Sequence, residues 1–215
     1  MRVDHLVWYS ADLAEGERFF AERMDCRAKY GGVHPGEGTR NSLFSLSDTT
    51  YVEILGSDPA QPAASLDPEL RALTSTGIYH WAVGSSDLAD LRRKALNAGL
   101  DGSDIMAGGR TLPDGRWLGW KLFGIRNHGF GALVPFFIDW GESEHPAKSA
   151  PRGGSLARLN VSSPEPERLQ EIYRILGLDV TVAAASTPGF SAIVESRKGP
   201  TALAMFDPVP RGYVI

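Results

Sequence analysis

Three residues able to carry out chemistry lie inside apolar, strand-like runs of this 215-residue sequence. His5 stands in DHLVWYS, Glu53 in YVEIL and His80 in YHWAV. Polar groups that a fold buries are normally hydrogen-bonded or used in a site. Two imidazoles and one carboxylate suit a divalent metal that keeps coordination positions open for a substrate. The alternative is structural: the histidines and the glutamate bond only to each other beside an apolar ligand pocket.

Strand alternation decides whether these side chains can meet. Successive side chains of a strand point to opposite faces of the sheet. His5 therefore lies opposite Leu6 and Trp8, which would pack under a helix, and Glu53 shares its face with Tyr51. If the inner faces line one cavity, all three candidates converge there. Without a metal, Glu53 beside a histidine is a candidate general base, with a pKa that burial raises toward neutrality.

The segment GGVHPGEGTRN, residues 31–41, adds two candidates: His34 for catalysis and Asn41 for substrate binding. Its glycines permit unusual backbone angles and close approach of a ligand. The segment could therefore form a lid or rim over a site, since binding residues are frequent on loops. The alternative is a surface turn whose glycines only change the chain direction. It is not a phosphate loop, because the G-x-x-x-x-G-K-[ST] pattern is absent.

Aromatic residues of the predicted strands are candidate cavity walls. They are Tyr51, Trp117, Trp120, Phe136 and Phe137. Of these, Tyr51, Trp117 and Phe136 are assigned to substrate binding, and plain core packing is the alternative. His128, in a predicted turn, and His145, in a predicted linker, are expected to be solvated.

The elements that would position these residues recur along the chain, which indicates a repeat. Module one (residues 3–55) has strands predicted at 3–9, 26–32, 41–46 and 51–55, with a helix between the first two. Module two (residues 78–138) repeats this βαβββ order, with strands at 78–83, near 105, at 117–125 and at 131–138. Seven positions separate His5 from the candidate helix cap Asp12, and seven also separate His80 from Asp87. The two modules are therefore in phase.

A third βαβββ-like module (residues 155–215) follows a polar linker at 141–154. Its strands are predicted at 156–161, 180–184, 190–195 and 201–206, and its helix opens at Pro164 and Glu165. Arg158 takes the register of the histidines. The predicted organisation is thus residues 1–140 as paired modules, a linker, and the third module. A further linker is predicted at 56–77, between modules one and two, with a short helix at 67–73 inside it.

Composition bounds the remaining possibilities. The formal charge is −4 with no basic stripe, so a nucleic-acid partner is not expected. No run approaches the roughly 18 apolar residues of a membrane helix, and the N-terminus lacks the apolar region of a signal peptide. Cys26 is the single cysteine, so no internal disulfide can form and a cytoplasmic setting is expected.

The sequence resembles the vicinal oxygen chelate superfamily, and within it the glyoxalase-like domain branch. The resemblance rests on DHLVWYSADL, GGVHPGEGTRN, YVEIL, YHWAVGSSDL and LVPFFIDW, which together span roughly residues 3–140. It implies an α+β fold in which two βαβββ modules form a cupped mixed sheet with helices outside. It also implies metal ligands from the first and fourth strands of each module, here His5, Glu53 and His80. Module two has no acid at the fourth position, because Val134, Pro135 and Phe136 occupy that region.

The resemblance implies a small-molecule enzyme of lyase, isomerase or dioxygenase type, with iron, manganese or zinc as the expected metal. Glu53 and His34 are its catalytic candidates. The alternative is a metal-free protein that binds or sequesters a small molecule. The third module lacks a fourth module to close its apolar face, so it either covers the first pair in the same chain or meets a second chain, and a homodimer is expected. That dimer would form largely through residues 155–207.

Overall fold

The computed structural model describes residues 2–112 and 114–213. Module one is a βαβββ unit composed of β1 (Arg2–Tyr9), α1 (Leu13–Met24), β2 (Lys29–His34), β3 (Thr39–Ser47) and β4 (Thr50–Ser57). Asp12 caps α1, because its Oδ1 accepts a 3.0 Å hydrogen bond from the N–H of Ala14. The second strand lies further along the chain than predicted. As a result β2 and β3 form a hairpin, and much of the predicted loop at 31–41 is strand.

Module two follows the short helix α2 (Pro68–Ala72), which lies where the linker helix was predicted. Its elements are β5 (Gly77–Gly84), α3 (Leu88–Asn97), β6 (Asp101–Gly102), β7 (Met106–Thr111), β8 (Trp117–Phe123), β9 (Ile125–Arg126) and β10 (Phe136–Asp139). Asp87 caps α3 through a 2.9 Å hydrogen bond from the N–H of Asp90. The strand predicted at 131–138 is wrong in its first half, where Gly131–Leu133 is a 3-10 turn. Gly131 has a φ of 51°, which a strand cannot accommodate.

The two modules form one eight-stranded sheet in the order β2-β3-β4-β1-β5-β10-β8-β7. β1 and β5 pair antiparallel at its centre. β1 also pairs parallel with β4, and β5 pairs parallel with β10. Each module therefore has the same strand order counted outward from the centre. This arrangement confirms the predicted pseudo-symmetric pair and the α+β class.

The helices cover the outer face of this sheet. Leu13 and Phe20 of α1, and Leu88 of α3, join a core cluster with Leu6 and Trp81 of the central strands. Burying such side chains contributes roughly 1.5–3 kcal/mol each. The longest of the described helices, α1, has 12 residues. None of the helices in the described ranges is long and apolar enough to cross a membrane.

The sheet curls until its two edge strands approach each other. Arg110 on β7 donates a hydrogen bond to Oδ1 of Asn41 on β3, across the gap between the edges. Gly31 on β2 permits this approach, because a Cβ at that position would lie 2.6 Å from Nη1 of Arg110. The inner face thereby becomes the wall of a cup.

The third module forms a separate four-stranded sheet. Its elements are β11 (Ser155–Ser163), α4 (Pro166–Ile175), β12 (Val182–Ala184), β13 (Gly189–Ser196) and β14 (Gly199–Ala204). The strand order is β12-β11-β13-β14. Its first strand pairs parallel with its second strand, whereas in modules one and two the first strand pairs parallel with the fourth. The third module thus shares the element order of the other two but not their strand pairing.

The apolar face of the third sheet packs on the paired modules of the same chain. The ring of Phe190 lies 5.2 Å from that of Trp81, and the hydroxyl of Tyr173 donates a 2.6 Å hydrogen bond to the carbonyl of Leu133. The premise of the expected dimer, an uncovered apolar face, is therefore wrong. Arg158 and Asn160 are exposed on β11, the first strand of the module.

Candidate active site

A cavity of about 240 Å³ opens on the inner face of the paired sheet. Module one supplies the polar side chains of His5, His34, Glu37, Asn41, Tyr51 and Glu53. Module two supplies Arg110 and apolar walls, among them Trp120, Phe136 and Ile138. Trp140 and Tyr213, from outside the two modules, complete the lining. The cavity therefore has a polar side and an aromatic side.

Glu53 stands at the centre of the polar side and is only 7% exposed. Its Oε1 accepts a 2.5 Å hydrogen bond from Nδ2 of Asn41 and lies 3.6 Å from Nε2 of His34. Its Oε2 lies 3.8 Å from Nε2 of His5. β4 places Glu53 toward the cavity and turns Val52 and Ile54 into the outer core, as alternation predicts. One carboxylate is thus held between two imidazoles.

The pKa of Glu53 is lowered, which corrects the expectation that burial raises it toward neutrality. Burial does act in the upward direction and is the largest single influence. The charges of His34 and His5, the hydrogen bond from Asn41 and the charge of Arg110 together outweigh it. Glu53 is therefore a carboxylate at neutral pH, able to accept a proton.

Asp4 orients His5. Oδ1 of Asp4 lies 2.7 Å from Nδ1 of His5, so the proton of that nitrogen is held by the carboxylate. Oδ2 lies 3.1 Å from Nε2 of His145 and 3.1 Å from the Nε1–H of Trp140. Burial raises the pKa of Asp4, but the hydrogen bonds and charges of His145 and His5 bring it down to about 2. This leaves Nε2 of His5 facing the cavity.

His34 lies at the end of β2 rather than in a mobile loop. Its Nδ1 is 2.9 Å from Oγ1 of Thr39, the first residue of β3, and its Nε2 faces Glu53. Asn41, two residues further along β3, binds the same carboxylate. The β2–β3 hairpin thus positions both residues from its strands. The expected lid or rim is corrected to a wall built from two paired strands.

His80 does not join His5 and Glu53, and its predicted role as a metal ligand is corrected. Its Nδ1 accepts a 3.1 Å hydrogen bond from the N–H of Tyr213, and its Nε2 donates one of 3.0 Å to the carbonyl of Val134. Both nitrogens are therefore occupied by backbone groups. Burial lowers the pKa of His80 to about 4, so the ring is neutral.

The residues present do not fit the metal that the resemblance implies. His80 is engaged elsewhere, and β10 contributes Phe136 instead of an acid to the cavity. Across residues 2–112 and 114–213, no group of three or more His, Cys, Asp or Glu side chains has the arrangement of a metal site. His5 and His34 instead turn their Nε2 atoms toward Glu53, at 3.8 and 3.6 Å from its carboxylate oxygens.

The predicted aromatic wall residues lie in three places: the cup, a neighbouring cavity and the outer core. Tyr51 stacks on His5 with ring centroids 4.6 Å apart, and Phe136 meets the same ring edge-on at 5.4 Å. Trp117 is 65% exposed and lines a neighbouring cavity, so its assignment to the cup is wrong. Phe137 points to the outer core and stacks on Phe123.

Several residues reach the site without having been predicted, and four of them are polar residues that contact or adjoin the candidates named above. They are Asp4, Arg110, His145 and Tyr213. The adjacency of Asp4 and His5 in the sequence is a signal that could have indicated the first. The others come from a weakly patterned strand, a linker and the tail, so no local pattern marks them. Both His145 and His128 are partly buried rather than fully solvated.

Comparison with known proteins places this geometry in a family context. The model of a family described as "Glyoxalase-like domain" matches residues 3–177. No curated protein matches the chain.

Among solved structures, a hypothetical protein from Staphylococcus aureus is 18% identical, with a TM-score of 0.67, over 95% of this chain and 86% of that one. This likeness shows the fold, and it extends over the third module. The methylmalonyl-CoA epimerase of Mycobacterium tuberculosis is 14% identical, with a TM-score of 0.48, over 65% of this chain and 87% of that one. That of Streptomyces coelicolor is 17% identical, with a TM-score of 0.49, over 68% and 99%.

Proposed function

Because the chain belongs to the glyoxalase-like domain family of the vicinal oxygen chelate superfamily, we propose that it is a small-molecule enzyme of isomerase or lyase type. Its reaction begins with removal of a proton from carbon. The observation that carries the proposal is the buried, ionised carboxylate of Glu53 between His5 and His34 in a cavity of about 240 Å³. A cavity with a few convergent polar groups and perturbed pKa values is typical of an active site.

Glu53 is the general base in this proposal. Asn41 holds Oε1, which leaves Oε2 to accept the proton of a substrate. Its lowered pKa keeps the group ionised, and substrate entry would displace water and strengthen its basicity. A positioned acid–base group of this kind contributes about 10²–10⁴ in rate.

His5 is the second proton-transfer group. Asp4 accepts the proton of Nδ1, so Nε2 is the nitrogen that faces the substrate and can take or return a proton. Its ring is also held by stacking on Tyr51 at 4.6 Å. A fixed imidazole opposite a carboxylate suits a reaction in which a proton leaves one atom of the substrate and returns to another.

The test is proton exchange in D₂O, which detects C–H cleavage whatever product forms. The protein is incubated with a panel of small 2-oxo acids, 2-hydroxy acids and 1,2-diketones, and loss of C–H signals is followed by proton NMR. We expect exchange of at least one compound, slowed by about 10²–10⁴ in Glu53→Gln. Glu195→Gln, at an exposed position on β13, is the matched control and should exchange at the wild-type rate.

Retention of the wild-type rate in Glu53→Gln would contradict the assignment of the base. Metal analysis of the purified protein, before and after incubation with iron, manganese or zinc, tests the metal. Stoichiometric metal that is lost in His5→Ala would contradict metal-independent proton transfer and favour the dioxygenase or metal-lyase alternative.

A second candidate is a protein that binds a small molecule without transforming it. The aromatic side of the cavity favours it, since Trp120, Phe136, Trp140 and Tyr213 offer large apolar surfaces. Thermal stabilisation by a ligand that shows no exchange in D₂O would support this function.

The homodimer and the cytoplasmic setting stay predictions, and light scattering on the full chain tests the homodimer.

A further inference from the structure

Arg110 is a buried cation with little to hold it. It is 3% exposed and lies on β7, two residues before the described range 2–112 ends at Leu112. Its only side-chain hydrogen bond within residues 2–112 and 114–213 goes from Nη1 to Oδ1 of Asn41, a neutral group. No Asp or Glu of those ranges lies within ion-pair distance of it. A guanidinium has five N–H donors, so four are left over.

Burying the guanidinium in this way destabilises the folded protein unless a ligand pairs with it. A buried charge without an anionic partner is strongly destabilising, and buried donors are normally paired. The charges of Arg110 and Glu53 do interact, because Arg110 helps to lower the pKa of the Glu53 carboxyl. Asn41 stands between the two groups, however, and takes one hydrogen bond from Arg110 while giving another to Glu53. The other four N–H groups of the guanidinium make no hydrogen bond within residues 2–112 and 114–213.

The position of Arg110 makes these N–H groups reachable. Its side chain lines the active-site cavity and also a neighbouring outer cavity of about 630 Å³. The outer cavity is walled by the β7–β8 hairpin, by Trp117, and by the segment around Glu142–Ser149. Arg110 therefore stands in the partition between the two cavities.

The outer cavity by itself does not select an anion. Its basic residues Lys29 and Arg116 are balanced by acids, and Arg116 pairs with Asp114 at 2.9 Å. Lys29 and Arg110 have no ion pair with an acid of the described ranges, but Lys29 is exposed whereas Arg110 is buried. Selection for negative charge would come from this one guanidinium.

We propose that Arg110 binds the carboxylate of the substrate. A guanidinium binds a carboxylate through two parallel hydrogen bonds, which suits a single planar anionic group. Asn41 then separates this anchor from Glu53 by the width of one amide group. The carbon beside the substrate carboxylate would then lie in the active-site cavity, toward the base, with the rest of the molecule along Trp120 and Phe136. This inference rests on the proposed function and names its substrate class.

The test is binding of matched pairs of carboxylates and their primary amides, from acetate and acetamide to 2-naphthoate and 2-naphthamide. Each pair has nearly the same shape and differs in charge. Thermal shift identifies the pair with the strongest effect, and calorimetry gives its dissociation constants. We expect the carboxylate to bind at least about tenfold more tightly than the amide, as charge-assisted hydrogen bonds predict. Arg110→Gln should reduce this preference to less than about threefold, whereas Arg110→Lys should keep an intermediate preference.

Arg126→Gln is the matched control, because Arg126 is exposed and pairs with Asp101 at 3.0 Å, outside both cavities. It should bind both members of the pair as the wild type does. Equal affinity for carboxylates and amides across the panel, or a preference that survives Arg110→Gln, overturns the inference. If Arg110→Gln does not fold, an unchanged preference in Arg110→Lys overturns it. Glu53→Gln separates the two proposals, because it should slow exchange in D₂O by about 10²–10⁴ while leaving carboxylate binding at least as tight.

Discussion

His5 and His80 occupy the same register in two modules related by pseudo-symmetry, yet their surroundings differ. His5 is preceded by Asp4, which holds Nδ1 and leaves Nε2 to the cavity. His80 is preceded by Tyr79, and both of its nitrogens bond to backbone groups of distant segments. The pair shows that a repeated strand supplies a repeated residue but not repeated hydrogen-bond partners.

The tail of the chain causes much of this difference. Gly212 has a φ of 77°, and a Cβ there would lie 2.8 Å from the ring of His80. The tail therefore packs directly on this histidine, and the next residue, Tyr213, donates its N–H to the ring. Within residues 2–112 and 114–213 no backbone group bonds to the ring of His5, which lines the cavity. The proposed catalytic groups are thus concentrated in module one, and module two supplies aromatic walls and Arg110.

The largest expected effect is the difference in exchange rate between the His5→Gln and His80→Gln variants. His5→Gln should slow proton exchange in D₂O by about 10²–10³, because it removes a proton-transfer group. His80→Gln should change the rate by less than about threefold, since His80 does not reach the cavity. Proton NMR on the same substrate measures both. Equal losses of exchange rate in the two variants would contradict the proposed difference between His5 and His80.

A second effect is the dependence of stability on pH that His80 introduces. Its pKa is about 4 in the folded protein and ordinarily 6.5. Below pH 6.5 the unfolded chain takes up a proton that the folded protein does not, so stability falls until about pH 4, by about 3 kcal/mol. Above pH 6.5 the ring is neutral in both states and adds no such dependence.

Urea unfolding of the wild type and His80→Gln at pH 7.5 and pH 5 measures this difference. The wild type should lose about 2 kcal/mol more than the variant between the two values. A variant that is as acid-sensitive as the wild type would show that His80 is not held neutral.

A somewhat smaller effect is expected for Asp4, the residue that distinguishes His5. Its folded pKa of about 2 is below the ordinary 3.8, so it contributes stability above pH 3.8 that is lost as the pH falls toward 2. Asp4→Asn should lower the free energy of unfolding at pH 7 by ~2 kcal/mol. In urea unfolding, the gap to the wild type should stay constant down to about pH 5 and narrow below pH 4. A gap that widens in acid would contradict the depressed pKa.

Much of the fold could be predicted from local patterns. The caps Asp12 and Asp87, the period of two in β1 and β4, and the seven-residue phase between histidine and cap are all readable from the sequence. They indicate two βαβββ modules and turn both His5 and Glu53 to the inner face. These features depend on neighbours a few residues away, so the sequence alone determines them.

The tertiary structure decided which polar atoms are free. His80 is occupied by Tyr213 and Val134, and Arg110 reaches Asn41 across the closing edges of the sheet. The third module lies against Trp81 in the same chain instead of awaiting a partner. These contacts join segments that are tens of residues apart or more. Periodicity selects a face for a side chain, but its hydrogen-bond partners and pKa depend on what long-range packing brings against that face.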